Sequence, residues 1–128
     1  MNYTLSKKVE SSFAETIETV KSLLAEEGFG VLSDIDVSAT LKKKIDVDFR
    51  QYRILGACNP TFAHQALKTE ARIGVMLPCN VIVQEYDTGS VEVSAVDPVS
   101  SMQAVENEAL APIAEEVRNG LDRVIQKL

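Results

Sequence analysis

The chain is poor in cysteine, in histidine and in positive charge. It holds two cysteines and one histidine, and its 13 Lys and Arg face 19 Asp and Glu for a net charge of −6. Two cysteines without a Cys-X-X-Cys spacing match neither a zinc ribbon nor a thioredoxin motif. Nucleic-acid binding needs clustered Lys and Arg against phosphate, so the charge balance argues against it. The single basic run, Lys42-Lys43-Lys44, is offset by Asp46 and Asp48 and reads as a solvated helix face. No stretch approaches the ~20 apolar residues that cross a bilayer. No apolar run follows Lys7-Lys8, so no secretory signal is expected. No linker, repeat or low-complexity segment divides the chain. The expected setting is a bacterial or archaeal cytoplasm, where thiols stay reduced. Neither a nucleic-acid nor a membrane partner is expected.

What is present suits one soluble domain over residues 1–128, with 45% hydrophobic and 25% charged residues. A chain of this length buries roughly two thirds of its unfolded surface and needs no staples. Residues 2–9 alternate, with Tyr3, Leu5 and Val9 on one face and Thr4, Ser6 and Lys8 on the other, as in a half-buried strand. Ser12-Phe13-Ala14-Glu15 is a capping box. Phe13, Ile17, Val20 and Leu24 then make an amphipathic helix that Gly28 or Gly30 stops. Residues 31–37 read as a second strand, with Ile35 and Val37 opposite Asp34 and Asp36. Ser38 is placed to cap a short helix through Lys44.

Ile54-Leu55-Gly56-Ala57-Cys58 has no polar interruption, which suits a central strand covered on both faces or nearly so. Asn59 as N-cap and Pro60 at the first helical position start a helix to about Glu70, burying Ala63, Ala66 and Leu67. The type of residues 73–78 stays open. Val81–Tyr86 and Val91–Val96 form a hairpin around Asp87-Thr88-Gly89-Ser90. A last helix spans about 108–127, with Leu110, Ile113, Val117, Leu121, Val124 and Leu128 as its stripe. The order β-α-β-(α)-β-α-β-β-α predicts an α+β two-layer sandwich. Its sheet has about five strands, is partly antiparallel and carries helices mainly on one face.

The candidate chemistry lies in Cys58-Asn59-Pro60 and Pro78-Cys79-Asn80, with His64 between them. A thiol at a helix N-terminus gains from the positive end of the helix dipole. That makes Cys58 the candidate catalytic residue. Cys58, Asn59, Cys79 and Asn80 are the candidate ligand-binding set. Cys58, Cys79 and His64 are a candidate metal set, with zinc as the fitting ion. That set is one ligand short of a structural site, but an open position is what catalytic zinc uses. Against these stands ordinary packing, because free cysteine is among the most buried residue types. The two asparagines fit turn or helix caps better than amide donors to a ligand. Asp34 and Asp36 point the same way along a strand and fit a solvated edge better than a cation site. Gly28-Phe29-Gly30 follows a helix and is a C-cap, not a phosphate loop.

The two cysteine strings also carry a resemblance. Gly28-Phe29-Gly30-Val31, Asp34-Ile35-Asp36-Val37, Ile54-Leu55-Gly56-Ala57-Cys58-Asn59-Pro60, Ala66-Leu67, Ile73-Gly74, Leu77-Pro78-Cys79-Asn80-Val81-Ile82-Val83 and Val93-Ser94-Ala95 occur in order. With them the chain resembles the family called domain of unknown function 302, in its cysteine-bearing branch, over roughly residues 3–125. The resemblance implies a compact α+β fold, commonly a dimer, and no activity.

Three functions follow as expectations. The first is a cytoplasmic homodimeric module holding a small ligand or metal near Cys58, Cys79 and His64. The second is a thiol-dependent enzyme or redox sensor using Cys58. The third is a structural or partner-binding domain with core cysteines.

Overall fold

The computed structural model describes residues 2–128. Local signals set its first elements. Alternation forms β1 (Thr4–Val9), and the Ser12 hydroxyl accepts the Glu15 N–H at 3.2 Å to open α1 (Phe13–Glu26). Phe13, Ile17, Val20 and Leu24 are buried together along one side of α1. Gly28, at φ +83°, ends that helix in a backbone region L side chains rarely enter. Then follow β2 (Gly30–Asp36), α2 (Val37–Ile45), β3 (Tyr52–Cys58), α3 (Pro60–Thr69), β4 (Cys79–Glu85), β5 (Val91–Val96), α4 (Pro98–Ser101) and α5 (Ala111–Gln126).

Among the described residues the five strands form one sheet in the order β1-β5-β4-β3-β2. Every neighbouring pair is antiparallel, so the sheet expected to be partly antiparallel is wholly so. The register aligns Leu5, Ala95, Val81 and Leu55 across four strands. Side chains alternate along a strand, so this row shares one face. That face lies beneath α1 and α5. Val20 and Leu24 of α1, and Leu121 and Val124 of α5, are no more than 1% exposed.

The opposite face carries Ser6, Ser94, Ile82, Ile54 and Ile35 as its matching row. The Ser6 and Ser94 hydroxyls lie 2.7 Å apart in a hydrogen bond. Arg50 anchors the loop before β3 to this face. Its Nε donates to Gln84 at 3.0 Å, and its guanidinium lies 4.5–5.8 Å from the rings of Phe49, Tyr52 and Tyr86.

Some expectations change. β3 is covered by helices on one side only, and Ile54 on the other is half-buried. Tyr3 precedes the first ladder pair and is 68% exposed. Asp36, not Ser38, caps α2, accepting the Ala39 N–H at 3.0 Å. Val37 therefore belongs to that helix rather than to β2. Leu67 is exposed, although Ala66 beside it is buried. The last helix starts at Ala111 after a 3-10 turn at Glu108–Leu110, and the short helix α4 lies where the sequence showed only a strand end.

Asp34 and Asp36 do share a side of the edge strand, but both are engaged. Arg53 donates to Asp34 through Nε and Nη2 at 2.7 and 2.6 Å, and Lys21 adds an ion pair at 3.2 Å. The Arg53 hydrogen bond leads in holding the Asp34 carboxyl down at about 2, against a smaller opposing effect of burial. With Asp36 committed to the α2 cap, the two aspartates are parts of the scaffold.

Gly56 of β3 has no room for a side chain. A Cβ there would overlap the Ser33 hydroxyl and come within 2.8 Å of Cγ of Pro78. The serine can rotate, whereas the proline ring cannot. Gly56→Ala is expected to destabilise the protein by about 1–3 kcal/mol, the usual cost of overpacking. Urea unfolding measures this, and an unchanged midpoint would show that the Pro78 segment yields freely.

Candidate functional site

Asn59 turns the chain out of the sheet. Its side-chain oxygen accepts the Phe62 N–H at 3.4 Å, with Pro60 in the first turn, so α3 starts where the sequence places it. β4 enters beside the end of β3, and their ladder closes with Ala57 opposite Cys79. Between this sheet end, α3 and α5 lies a pocket of about 320 Å³. Ala57 and Cys79 line it from the sheet, Phe62, Ala63 and Ala66 from α3, and Ala114 and Val117 from α5. Phe29, Leu77, Pro78 and Met102 complete much of the wall, and Leu32 and Leu67 lie at its exposed rim.

Both cysteines line this pocket, and both are free thiols. Cys79 is 7% exposed and belongs to the main core with Leu55, Val81 and Leu121. Burial, and secondarily the charge of Cys58, push its thiol from 9.0 up to about 11. Cys58 ends β3 and is half-buried. Asn59 also lines the pocket, so the structure joins three of the four proposed ligand-binding residues.

Asn80 is not with them. It is exposed, sits opposite Gly56, and lines a separate hollow of about 520 Å³ with Gln84 and Ser94. A strand alternates its side chains, so adjacent Cys79 and Asn80 leave on opposite faces. It also caps nothing, whereas Asn59 does. His64 is exposed on α3 and does not line the pocket. The Cys58, Cys79 and His64 set is therefore not assembled. Among the described residues no group of three or more His, Cys, Asp or Glu is placed to hold a metal ion.

The pocket walls that motif reading missed are small and apolar. Ala57, Ala63, Ala66 and Ala114 surround one void. Alanine at helix positions facing a sheet is the available signal, but it also describes close packing. The two cysteines are the only titratable groups in the lining. The site thus offers apolar contact, two thiols and one amide already used as a cap. It offers no carboxylate or imidazole to act as a base.

The Cys79 shift sets a sign. The folded state holds this thiol neutral to about pH 11, while an unfolded thiol ionises near 9.0. Cys79 therefore favours folding below pH 9 and loses that contribution as pH rises from 9 towards 11. In Cys58→Ser, iodoacetamide is expected to label Cys79 roughly 100-fold more slowly at pH 7 than a free thiol, since the thiolate reacts. Labelling as fast as glutathione would mean that the thiol is neither buried nor suppressed.

Over residues 5–128 the sequence matches the family described as Domain of unknown function DUF302. A solved structure, the crystal structure of uncharacterized conserved protein DUF302 from Bacillus stearothermophilus, is similar with a TM-score of 0.92 and 28% sequence identity. The match covers 99% of this chain and 98% of that one. No curated protein matches the chain.

Proposed function

The chain belongs to the DUF302 family, and within it we propose a cytoplasmic homodimeric module that binds a small uncharged apolar ligand beside Cys58 and Cys79. The carrying observation is the pocket at the β3–β4 end. It lies at the lower end of the size range of small-molecule sites, ~300–1,000 Å³, and its walls are apolar. A charged ligand would lose its hydration there without finding a partner of opposite sign. Burying about 200 Å² of apolar ligand surface contributes about 5 kcal/mol, a dissociation constant of roughly 0.1–1 mM before any ordering cost.

The absence of a base in the lining, with His64 outside it, favours binding over thiol catalysis. Net charge −6 disfavours nucleic acid. Among the described residues no helix is long and apolar enough to cross a membrane.

The dimer reading is supported at the other end of the chain's apolar inventory. Edge strand β2 and helix α2 expose Leu32 at 71%, Ile35 at 47% and Ile45 at 63%, and the following loop exposes Val47 and Phe49. Helix α2 buries none of its residues. An amphipathic helix that fully buries none of its residues, next to an open strand edge, is the kind of surface that association covers.

Nile red fluorescence tests the pocket. The protein is expected to bind the dye, and Ala63→Trp, which fills the void, to abolish binding with unchanged far-UV circular dichroism. Equal binding by the variant would move the site elsewhere, and no binding by the native protein would end the reading.

Sedimentation velocity tests the dimer. The native chain is expected to sediment as a dimer and Ile45→Asp as a monomer. A monomeric native chain would remove the dimer.

A further inference from the structure

Cys58 is the last residue of β3 and Cys79 the first of β4. Their ladder ends at the pair Ala57–Cys79, so Cys58 lies one residue past the last β3–β4 partner. On its other side it faces Gly30 of β2, which has no side chain. Neighbouring strands lie about 4.8 Å apart and rise about 3.4 Å per residue, which places the two Cα atoms about 6 Å apart. Disulfides span Cα separations of about 4.4–6.8 Å.

Inside a regular ladder, residues offset by one would face opposite sides of the sheet. Here the β3–β4 ladder has ended, Cys58 keeps only its pairing with Gly30 of β2, Asn59 has begun the cap of α3, and both cysteines line the same pocket. A charge on Cys58 also acts on the Cys79 thiol, which places the two within electrostatic reach of each other.

We propose that Cys58 and Cys79 are a redox pair, and that a reversible disulfide between them closes the pocket to its ligand. This rests on the ligand-binding reading of the same pocket. The oxidant is a low-molecular-weight disulfide, for which glutathione disulfide serves as the probe. Cys58 is the more exposed thiol and attacks first, as its thiolate, on one sulfur of the small disulfide. That S–S bond breaks, and one small thiolate leaves and takes up a proton. Cys79 then gives its proton to solvent and attacks Sγ of Cys58. The Sγ–Sγ bond forms and the second small thiolate leaves and is protonated. The two cysteines lose two electrons together, and one small disulfide becomes two thiols. Excess thiol reverses the sequence.

The product suits its surroundings. A disulfide is neutral, whereas burial opposes a thiolate at Cys79. Forming it joins two residues of the pocket wall to each other.

The test equilibrates the reduced full-length protein with mixtures of glutathione and glutathione disulfide. It reads whole-protein mass and Nile red binding on the same samples. The expected result is a species lacking two hydrogens, with dye binding reduced at least tenfold and restored by dithiothreitol. Cys58→Ser, whatever its own dye affinity when reduced, should show no change in that affinity under the same oxidation. A glutathione adduct on Cys58 with no internal disulfide would overturn the proposal while leaving the pocket reading intact. An internal disulfide with undiminished dye binding would also overturn it. A reduced native protein that binds no dye would fail the pocket reading itself and take the gate with it, whatever the mass shows.

Discussion

The fold depends on one row of side chains: Leu5, Ala95, Val81 and Leu55, aligned across β1, β5, β4 and β3. A strand alternates its faces with a period of two, so a slip of one residue would send the whole row to the open side. The row directly below it, Lys7, Val93, Val83 and Arg53, ends in charge towards the β2 edge. There the Asp34 carboxylate accepts from the Arg53 guanidinium and also pairs with Lys21 of α1. Register thus decides three things together: where α1 and α5 sit, which face stays open, and where the ion pairs lie.

The pocket follows from the same register. β3 and β4 are interior strands, so their ends lie in the middle of the molecule rather than at its margin. One end is crossed by α3 leaving β3 and by the Leu77-Pro78 segment entering β4. The pocket of about 320 Å³ is open to solvent past Leu32 and Leu67, and alanines at four places in its wall keep it wide. Larger residues at Ala63, Ala66 or Ala114 would fill it. Gly56 repeats the theme one step into the sheet, where the approach of Pro78 leaves no room for a side chain.

The sequence carried most of this fold, because the signals that mattered were local. The Ser12 and Asn59 caps, the β4–β5 hairpin and the stripe of α1 depend on neighbours a few residues apart. What it carried less well depends on distant partners. Whether Asp36 or Ser38 capped α2 turned on where β2 ended against β3. The short helix α4 is held partly by Asp97, which also accepts a hydrogen bond from Arg118 of α5. For the site, the cysteine strings pointed to the right end of the sheet. Strand alternation then separated Asn80 from Cys79, and the exposed side of α3 took His64 away. Both errors came from treating nearness in sequence as nearness in space.

Cys79 serves core and pocket at once, and this limits the chemistry there. A serine in its place would bring a hydroxyl into a wall of mostly apolar side chains, at a cost of about 1–3 kcal/mol. A valine would pack but would leave Cys58 without a partner. The low dielectric that suits the pocket to an apolar molecule is the same one that pushes the Cys79 thiol up to about 11. A site of this kind disfavours any state in which charge persists at its floor. It accepts states in which sulfur is neutral: the thiol, with the pocket open, or the disulfide, with the pocket closed. The proposed binding and the proposed redox coupling would then be two outcomes of one burial, and Cys58, half-buried at the end of β3, is the more exposed of the two thiols.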